Sequence, residues 1–227
     1  MLLSTWTQWL KDNRGFVVFM LCFGVYRTAV ADWNPIPSGS MRPTILEGDV
    51  VFVDRLAYDV KLPLTDISVA RLGDPQRGDV VTFSSPVDGT RLIKRLVAVP
   101  GDEVEVRHGV LLINGVAAEY SNTTELAEHV ADGVVLPAQR STENVAGNSR
   151  TVQFLSGVGA QRSFGPVTVP ADHFFMLGDN RDNSEDSRYI GFVPRHLLIG
   201  QANRILVSAD ITDRWQLRFE RMVSRIR

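Results

Sequence analysis

Arg91-Leu-Ile-Lys-Arg-Leu-Val-Ala-Val99 is an aliphatic run closed by Pro100-Gly-Asp102. Read as a strand, it puts Leu92, Lys94, Leu96 and Ala98 on one face and Ile93, Arg95, Val97 and Val99 on the other. Each face then carries one cation among apolar neighbours. Runs of the same texture recur at Asp49-Val-Val-Phe-Val53, Asp79-Val-Val-Thr-Phe83, Glu103 to Arg107, Leu111 to Ile113, Val167-Thr-Val169, His173 to Leu177 and Gln201 to Val207, broken by Gly, Pro and Asp. Short β-type runs separated by turn residues predict a mainly β, antiparallel domain. Asn114-Gly115, between Leu-Leu-Ile and Val116, predicts a tight hairpin. Residues 120–165 are polar and weakly periodic, so they read as an inserted excursion, with Glu125-Leu-Ala-Glu-His129 as a short helix inside it.

The chain has 227 residues, 44% hydrophobic and 22% charged, enough for one well-cored domain or two small ones. A disordered chain, a collagen and a multi-span transporter are excluded. A formal charge of −2 gives no global pull toward nucleic acid. The single cysteine, Cys22, forms no intramolecular disulfide, and four scattered histidines without a second sulfur ligand do not make a usual zinc site. Redox and zinc chemistry are thereby disfavoured.

At the N-terminus, Phe16-Val-Val-Phe-Met-Leu-Cys-Phe-Gly-Val25 is an unbroken apolar run that extends through Arg27 to Ala31. Its 16 residues fall slightly below the ~17–25 of a spanning helix. A snorkelling Arg27 and local bilayer thinning reconcile it with a single membrane helix, and Lys11 and Arg14 before it place the N-terminus in the cytoplasm. Trp33 then sits at the far interface. A cleaved secretory signal and a buried core helix are the rival readings. Leu2, Leu3, Trp6, Trp9 and Leu10 suit an interfacial lead-in. At the other end, Trp215, Phe219, Met222, Val223 and Ile226 recur at helical spacing with five arginines between them. That predicts a basic amphipathic helix, packed on the domain or touching anionic lipid. The expected organisation is therefore a lead-in and membrane anchor over 1–33, a β-rich domain over 34–212, and the helix over 213–227.

Three segments carry chemistry. Pro35-Ile-Pro-Ser-Gly-Ser40-Met-Arg-Pro-Thr44 sets two serines between conformationally restricted prolines, with Gly39 free to take an unusual backbone angle. Such a loop either presents a nucleophile or is an ordinary turn. The histidines at 108, 129, 173 and 196 sit in no triad pattern, so a base would have to be a lysine. Lys94 qualifies if the aliphatic neighbours desolvate it, since burial lowers the proton affinity of an amine; otherwise it is a snorkelling surface lysine. Phe174-Phe-Met-Leu-Gly-Asp-Asn-Arg-Asp-Asn-Ser-Glu-Asp-Ser-Arg188 runs a strand into a dense polar loop. Its acid spacing does not match a calcium loop, and Arg181 and Arg188 oppose a cation. A self-satisfying cluster of hydrogen bonds and ion pairs fits it better.

Pro37-Ser-Gly-Ser-Met-Arg-Pro-Thr44, Arg77-Gly-Asp-Val-Val81, Lys94-Arg-Leu-Val97 with Pro100-Gly-Asp102, and Gly178 to Arg188 together resemble the ordered motifs of bacterial type I signal peptidases. The resemblance implies an antiparallel β-rich catalytic domain with Ser40 as nucleophile and Lys94 as general base. It also implies an oxyanion hole from the Ser40 backbone N–H and the Ser38 hydroxyl, Ser184 orienting the amine, and an Asp186 to Arg188 pair bracing the loop. Asp179 and Arg181 become structural. Ile36, Pro37, Leu92 and Ile93 fall on positions lining shallow pockets for small side chains, and Met41 is a pocket residue near the lipid surface. The implied partners are preprotein signal peptides and the bilayer, and the resemblance implies no metal and no cofactor. The implied location is the outer face of the cytoplasmic membrane; the single span and the inside N-terminus come from the apolar run and its flanking charges, and one short span departs from the two longer ones of many family members. A peptidase dedicated to one pilus or conjugation precursor shares every motif. A soluble Ser-Lys self-cleaving regulator would instead carry a DNA-binding helix pair before the domain, and a catalytically silent anchored module would lose nothing on Ser40→Ala.

Overall fold

In the computed structural model, which describes residues 8–63, 65, 67–131, 133–211 and 216–226, every β-type run of the sequence falls on a strand to within one residue at its ends. A helix, α1 (Arg14–Ala29), leads into β1 (Ala31–Pro35), β2 (Asp49–Asp54), β3 (Asp59–Lys61), β4 (Ser68–Arg71), β5 (Val80–Ser84) and β6 (Arg91–Ala98). Next come β7 (Glu103–Arg107), β8 (Val110–Ile113), β9 (Val116–Ala117), β10 (Glu119–Ala131), β11 (Val134–Val145) and β12 (Asn148–Leu155). The chain closes with β13 (Phe164–Thr168), β14 (His173–Leu177), a short helix α2 (Ser187–Ile190), β15 (Val193–Pro194), β16 (Leu198–Asp210) and β17 (Gln216–Leu217).

The main sheet runs β1, β2, β16, β5, β6, β14, β15, with β17 added to β16. Its central strands are apolar on both faces because both are covered. Ile93 packs with Ile36, Val51 and Ile205, Leu96 with Phe83 and Phe174, and Val97 and Ala98 with Val104, Leu111 and Phe175. β5 pairs with β6 along its length, from Val80 opposite Arg95 to Ser84 opposite Arg91. β14 pairs only with the far end, Leu177 opposite Arg95 and Phe175 opposite Ala98. The second edge of β6 at residues 91–93 therefore carries no strand among the described residues. A smaller sheet, β13, β7, β8, β9, holds the expected hairpin, in which Asn114 (φ 52°) and Gly115 (φ 77°) both take the left-handed backbone such a turn needs.

Three expectations change. Residues 125–129 are not a helix but part of β10, and the excursion is a three-stranded antiparallel sheet, β10, β11, β12. Glu128 alternates inward from β10 and meets Arg42 and Arg140, and this tertiary pairing outweighs the helical propensity of Glu-Leu-Ala-Glu. The C-terminal segment is not an amphipathic helix either. Residues 216–226 hold β17 and a single 3₁₀ turn, Phe219–Arg221, while 213–215 and 227 lie outside the described residues. Two arginines meant for a solvated face are committed to the domain: Arg218 donates to the Glu47 and Ala209 carbonyls, and Arg221 to the Thr44 carbonyl and the buried Asp49 carboxylate at 2.7 Å. Captured this way, the chain follows β16 instead of coiling on itself.

The third concerns the N-terminus. α1 has 16 residues, about 24 Å of helix against a hydrocarbon core of about 30 Å, and no helix among the described residues is long and apolar enough to cross a membrane. None of its residues is fully buried, and its contacts with the sheet are confined to its last two turns. The sheet begins at Ala31, inside the segment assigned to the anchor, and Trp33 lies in β1 against Phe23 and Arg27.

Candidate active site

The segment Ile36–Gly48 is fastened to β2 by Ile36 N–H to the Asp49 carbonyl and closed on itself by Gly48 N–H to the Ile36 carbonyl, both 2.9 Å. Within it, Gly39–Met41 makes one 3₁₀ turn, entered from an extended Ser38 whose side chain does not cap it. The turn drives Met41 into the core, where it is fully buried; it supports the turn from below instead of lying near lipid or lining a pocket. Ser40, one residue earlier, faces β6.

Lys94 Nζ lies 2.7 Å from Ser40 Oγ and donates to the Ile93 carbonyl at 3.0 Å. The lysine is only 3% exposed. Burial brings its amine down from 10.5 to about 8, although the negative charges of Asp186, Glu185 and Asp179 work against that change. A hydroxyl in contact with an amine that readily loses its proton is arranged for proton transfer.

The loop after β14 holds the other side. The Asn180 backbone N–H donates to the Ser40 carbonyl at 3.1 Å, and its Nδ2 to the Gly39 carbonyl at 3.0 Å. Asp186 takes Arg188 through both oxygens at 2.8 Å and accepts from Gly178 N–H, while Arg188 also donates to the Gln161 and Arg181 carbonyls. Asp179 receives Arg95 through two bonds, at 2.8 and 2.7 Å, and the Thr44 hydroxyl at 2.5 Å. Arg181 makes a two-pronged pair with Glu143 of β11, at 2.6 and 2.7 Å, and Arg150 of β12 meets the same carboxylate. The excursion therefore supplies the counter-ion for the loop that grips the serine turn.

An open cleft of about 510 Å³ collects Ser38, Ser40, Leu92, Lys94 and Ser184, with Asn183, Glu185 and Tyr189 at its rim. Ile36 and Ile93 lie beneath it in the core and Pro37 is exposed beside it. Ser184 Oγ is buried with no hydrogen-bond partner among the described residues, so the amine it was expected to orient is held by Ser40 and the Ile93 carbonyl instead. Asn180 and Glu143 are the residues the sequence reading missed. Asn180 stood within the quoted loop with no role given to it. Glu143, in a segment without a motif, gave no signal.

Compared with known proteins, residues 6–207 match the family described as signal peptidase, peptidase S26. The chain is 36% identical to signal peptidase I of Pseudomonas aeruginosa and 35% identical to that of Pseudomonas fluorescens, in each case over 88% of this chain and 72% of the relative. It is 34% identical to signal peptidase I of Rickettsia typhi, over 89% of this chain and 82% of that one. With the motifs in family order and this likeness over most of its length, the chain belongs to the signal peptidase family of hydrolases, peptidase S26.

Proposed function

We propose that this chain is a membrane-anchored endopeptidase that removes signal peptides from translocated preproteins with a Ser40–Lys94 dyad. The observation that carries the reading is the 2.7 Å approach of a buried, easily deprotonated amine to the Ser40 hydroxyl. Ser40 Oγ attacks the scissile carbonyl as its proton passes to Lys94 Nζ. The oxyanion is met by the Ser40 N–H and the Ser38 hydroxyl, the two donors this reading assigns to the charge that develops there. Lys94 then returns the proton to the leaving amine, and water drawn against the same amine hydrolyses the acyl-serine ester. A signal peptide in extended form adds to the unpaired edge of β6 at 91–93, which supplies backbone bonds, while Pro37 and Leu92, over a floor of Ile36 and Ile93, leave depth only for small side chains.

The anchor in this reading is α1. Phe16, Val18, Phe19, Leu21 and Phe23 are all exposed, and Lys11 and Arg14 stand on the side assigned to the cytoplasm. Bilayer thinning accommodates its short length. The catalytic domain then lies on the outer face of the inner membrane, where signal peptides emerge.

The test is cleavage of a preprotein carrying an Ala-x-Ala site by detergent-solubilised protein, with the cut mapped by mass spectrometry. Cleavage directly after the second Ala by wild type, and none by a folded Ser40→Ala variant, supports the reading. Equal cleavage by both removes Ser40 from it. For the anchor, alkaline carbonate extraction should leave the protein in the membrane pellet, and release to the supernatant sinks that part.

A further inference from the structure

Asp32 joins three elements. Its carboxylate is buried (residue 6% exposed), yet it lies at the start of β1, one turn of chain beyond α1. Oδ1 faces Arg27 Nε of α1 at 3.4 Å and accepts the Trp33 N–H, while Oδ2 accepts from Arg91 Nη1 of β6 at 3.0 Å. The same Arg91 nitrogen donates to Asn34 Oδ1, and the Arg27 guanidinium lies 4.5 Å over the Trp33 ring. Outside this cluster, α1 is tied to the sheet by the Arg55 N–H to Val30 carbonyl bond and the Phe23–Trp33 ring contact.

Half-exposed arginine pairs of this kind add little to stability. Their effect is geometric: one carboxylate, itself desolvated, couples the last turn of the helix to the first residue of the strand that carries Leu92, Ile93 and Lys94. It also accounts for a cation at the end of an apolar helix, because Arg27 has a carboxylate and an indole waiting for it.

We propose that Asp32 is a positioning residue that fixes the angle of the N-terminal helix against β6, and with it the register in which a membrane-held substrate meets Ser40. The consequence for substrate rests on α1 being the anchor; the clamp itself does not.

Two measurements on the full chain test it. Nitroxide labels on the native, exposed Cys22 and on Val87→Cys, an exposed loop site, report the spread of helix-to-sheet distances in detergent by pulsed electron resonance. The spread should be narrow with Asp32 present and broaden in Asp32→Ala and in Arg27→Ala; an unchanged spread overturns the clamp. In liposomes, Asp32→Ala should cut a membrane-inserted preprotein about tenfold more slowly and at neighbouring bonds as well, while a short soluble peptide with the same site is cut at the wild-type rate. Equal losses on both substrates would mean Asp32 acts on the chemistry, and that too overturns the proposal. If wild type is released by carbonate, the anchor reading fails, and the distance spread still decides the clamp.

Discussion

Asn180 holds Ser40 by the peptide backbone, its N–H donating to the Ser40 carbonyl at 3.1 Å while its side-chain amide holds the Gly39 carbonyl at 3.0 Å. The hydroxyl that must meet Lys94 within a few tenths of an ångström is thus positioned by a residue that does not touch the reacting atoms.

Asn180→Ala removes its side-chain bond to the Gly39 carbonyl, which keeps only the Arg42 N–H at 3.1 Å, a cost of about 0.5–1.5 kcal/mol. The expected result is a folded protein whose kcat falls about 10- to 100-fold with little change in KM, because the turn is looser while the binding edge of β6 is untouched. Asn180→Asp should be worse, since it faces the Gly39 carbonyl with a second acceptor. A steady-state comparison in which Asn180→Ala retains wild-type kcat would show that the turn is held without it.

Lys94 ties activity and stability to pH in a defined way. Its amine has to be neutral to accept a proton, so activity should rise with pH through about 8. A profile whose base limb lies near 10.5 would mean the amine is not desolvated in solution. For stability, the folded value lies below the unfolded one, so between about 8 and 10.5 the unfolded chain binds the extra proton and raising the pH stabilises the fold. Below about 8 the folded protein carries the full penalty of a buried ammonium, of order 3 kcal/mol. Lys94→Met should be inactive yet more stable than wild type at pH 7, by about 1–3 kcal/mol, with a gain that vanishes toward pH 10.5. Denaturant unfolding at the two pH values measures it.

What the sequence made legible follows from which forces are local. Asn114-Gly115 demands its turn, and the strands from Glu103 to Arg107 and from His173 to Leu177 are bounded by their own composition. Lys94 and Ser40 were marked by motif, and strand alternation had already set Lys94 among aliphatic side chains. Residues 125–129 and 216–226 were misread because their conformations are decided by distant partners: Arg42 for Glu128, and Asp49 for Arg221. Helical spacing in a short polar segment carries no knowledge of a carboxylate 172 positions away.

Glu143 is the best case of such a distant partner. Burial alone would raise its carboxyl, but the Arg181 and Arg150 guanidiniums outweigh burial and hold it at about 2. Its folded value is below 4.5, so this contribution is fully present above pH 4.5 and is lost as the pH falls through about 2. Glu143→Gln leaves two buried guanidiniums facing an amide, and should cost about 3–5 kcal/mol. Activity should fall with it, because Arg181 belongs to the loop that grips the serine turn. Unfolding curves at pH 7 check the first, and an activity assay well below the new midpoint temperature the second. A loss under 1 kcal/mol would mean the excursion does not brace the site.

Gly178 tests the packing directly beneath the nucleophile. A Cβ added there would lie 2.2 Å from Ser184 Oγ and 2.5 Å from the Ser40 carbonyl oxygen, so Gly178→Ala forces both serines to move. Overpacking of this kind costs about 1–3 kcal/mol, which the fold can survive. The dyad cannot, since displacing the Ser40 backbone carries its Oγ away from Lys94; kcat should drop about 100-fold or more. Adding Ser184→Gly removes the hydroxyl and its Cβ from the collision but leaves the one with Ser40. The double variant should therefore regain part of the lost stability and little of the lost kcat. Full recovery of kcat would place the damage at Ser184 and give that buried hydroxyl a direct part in holding the amine.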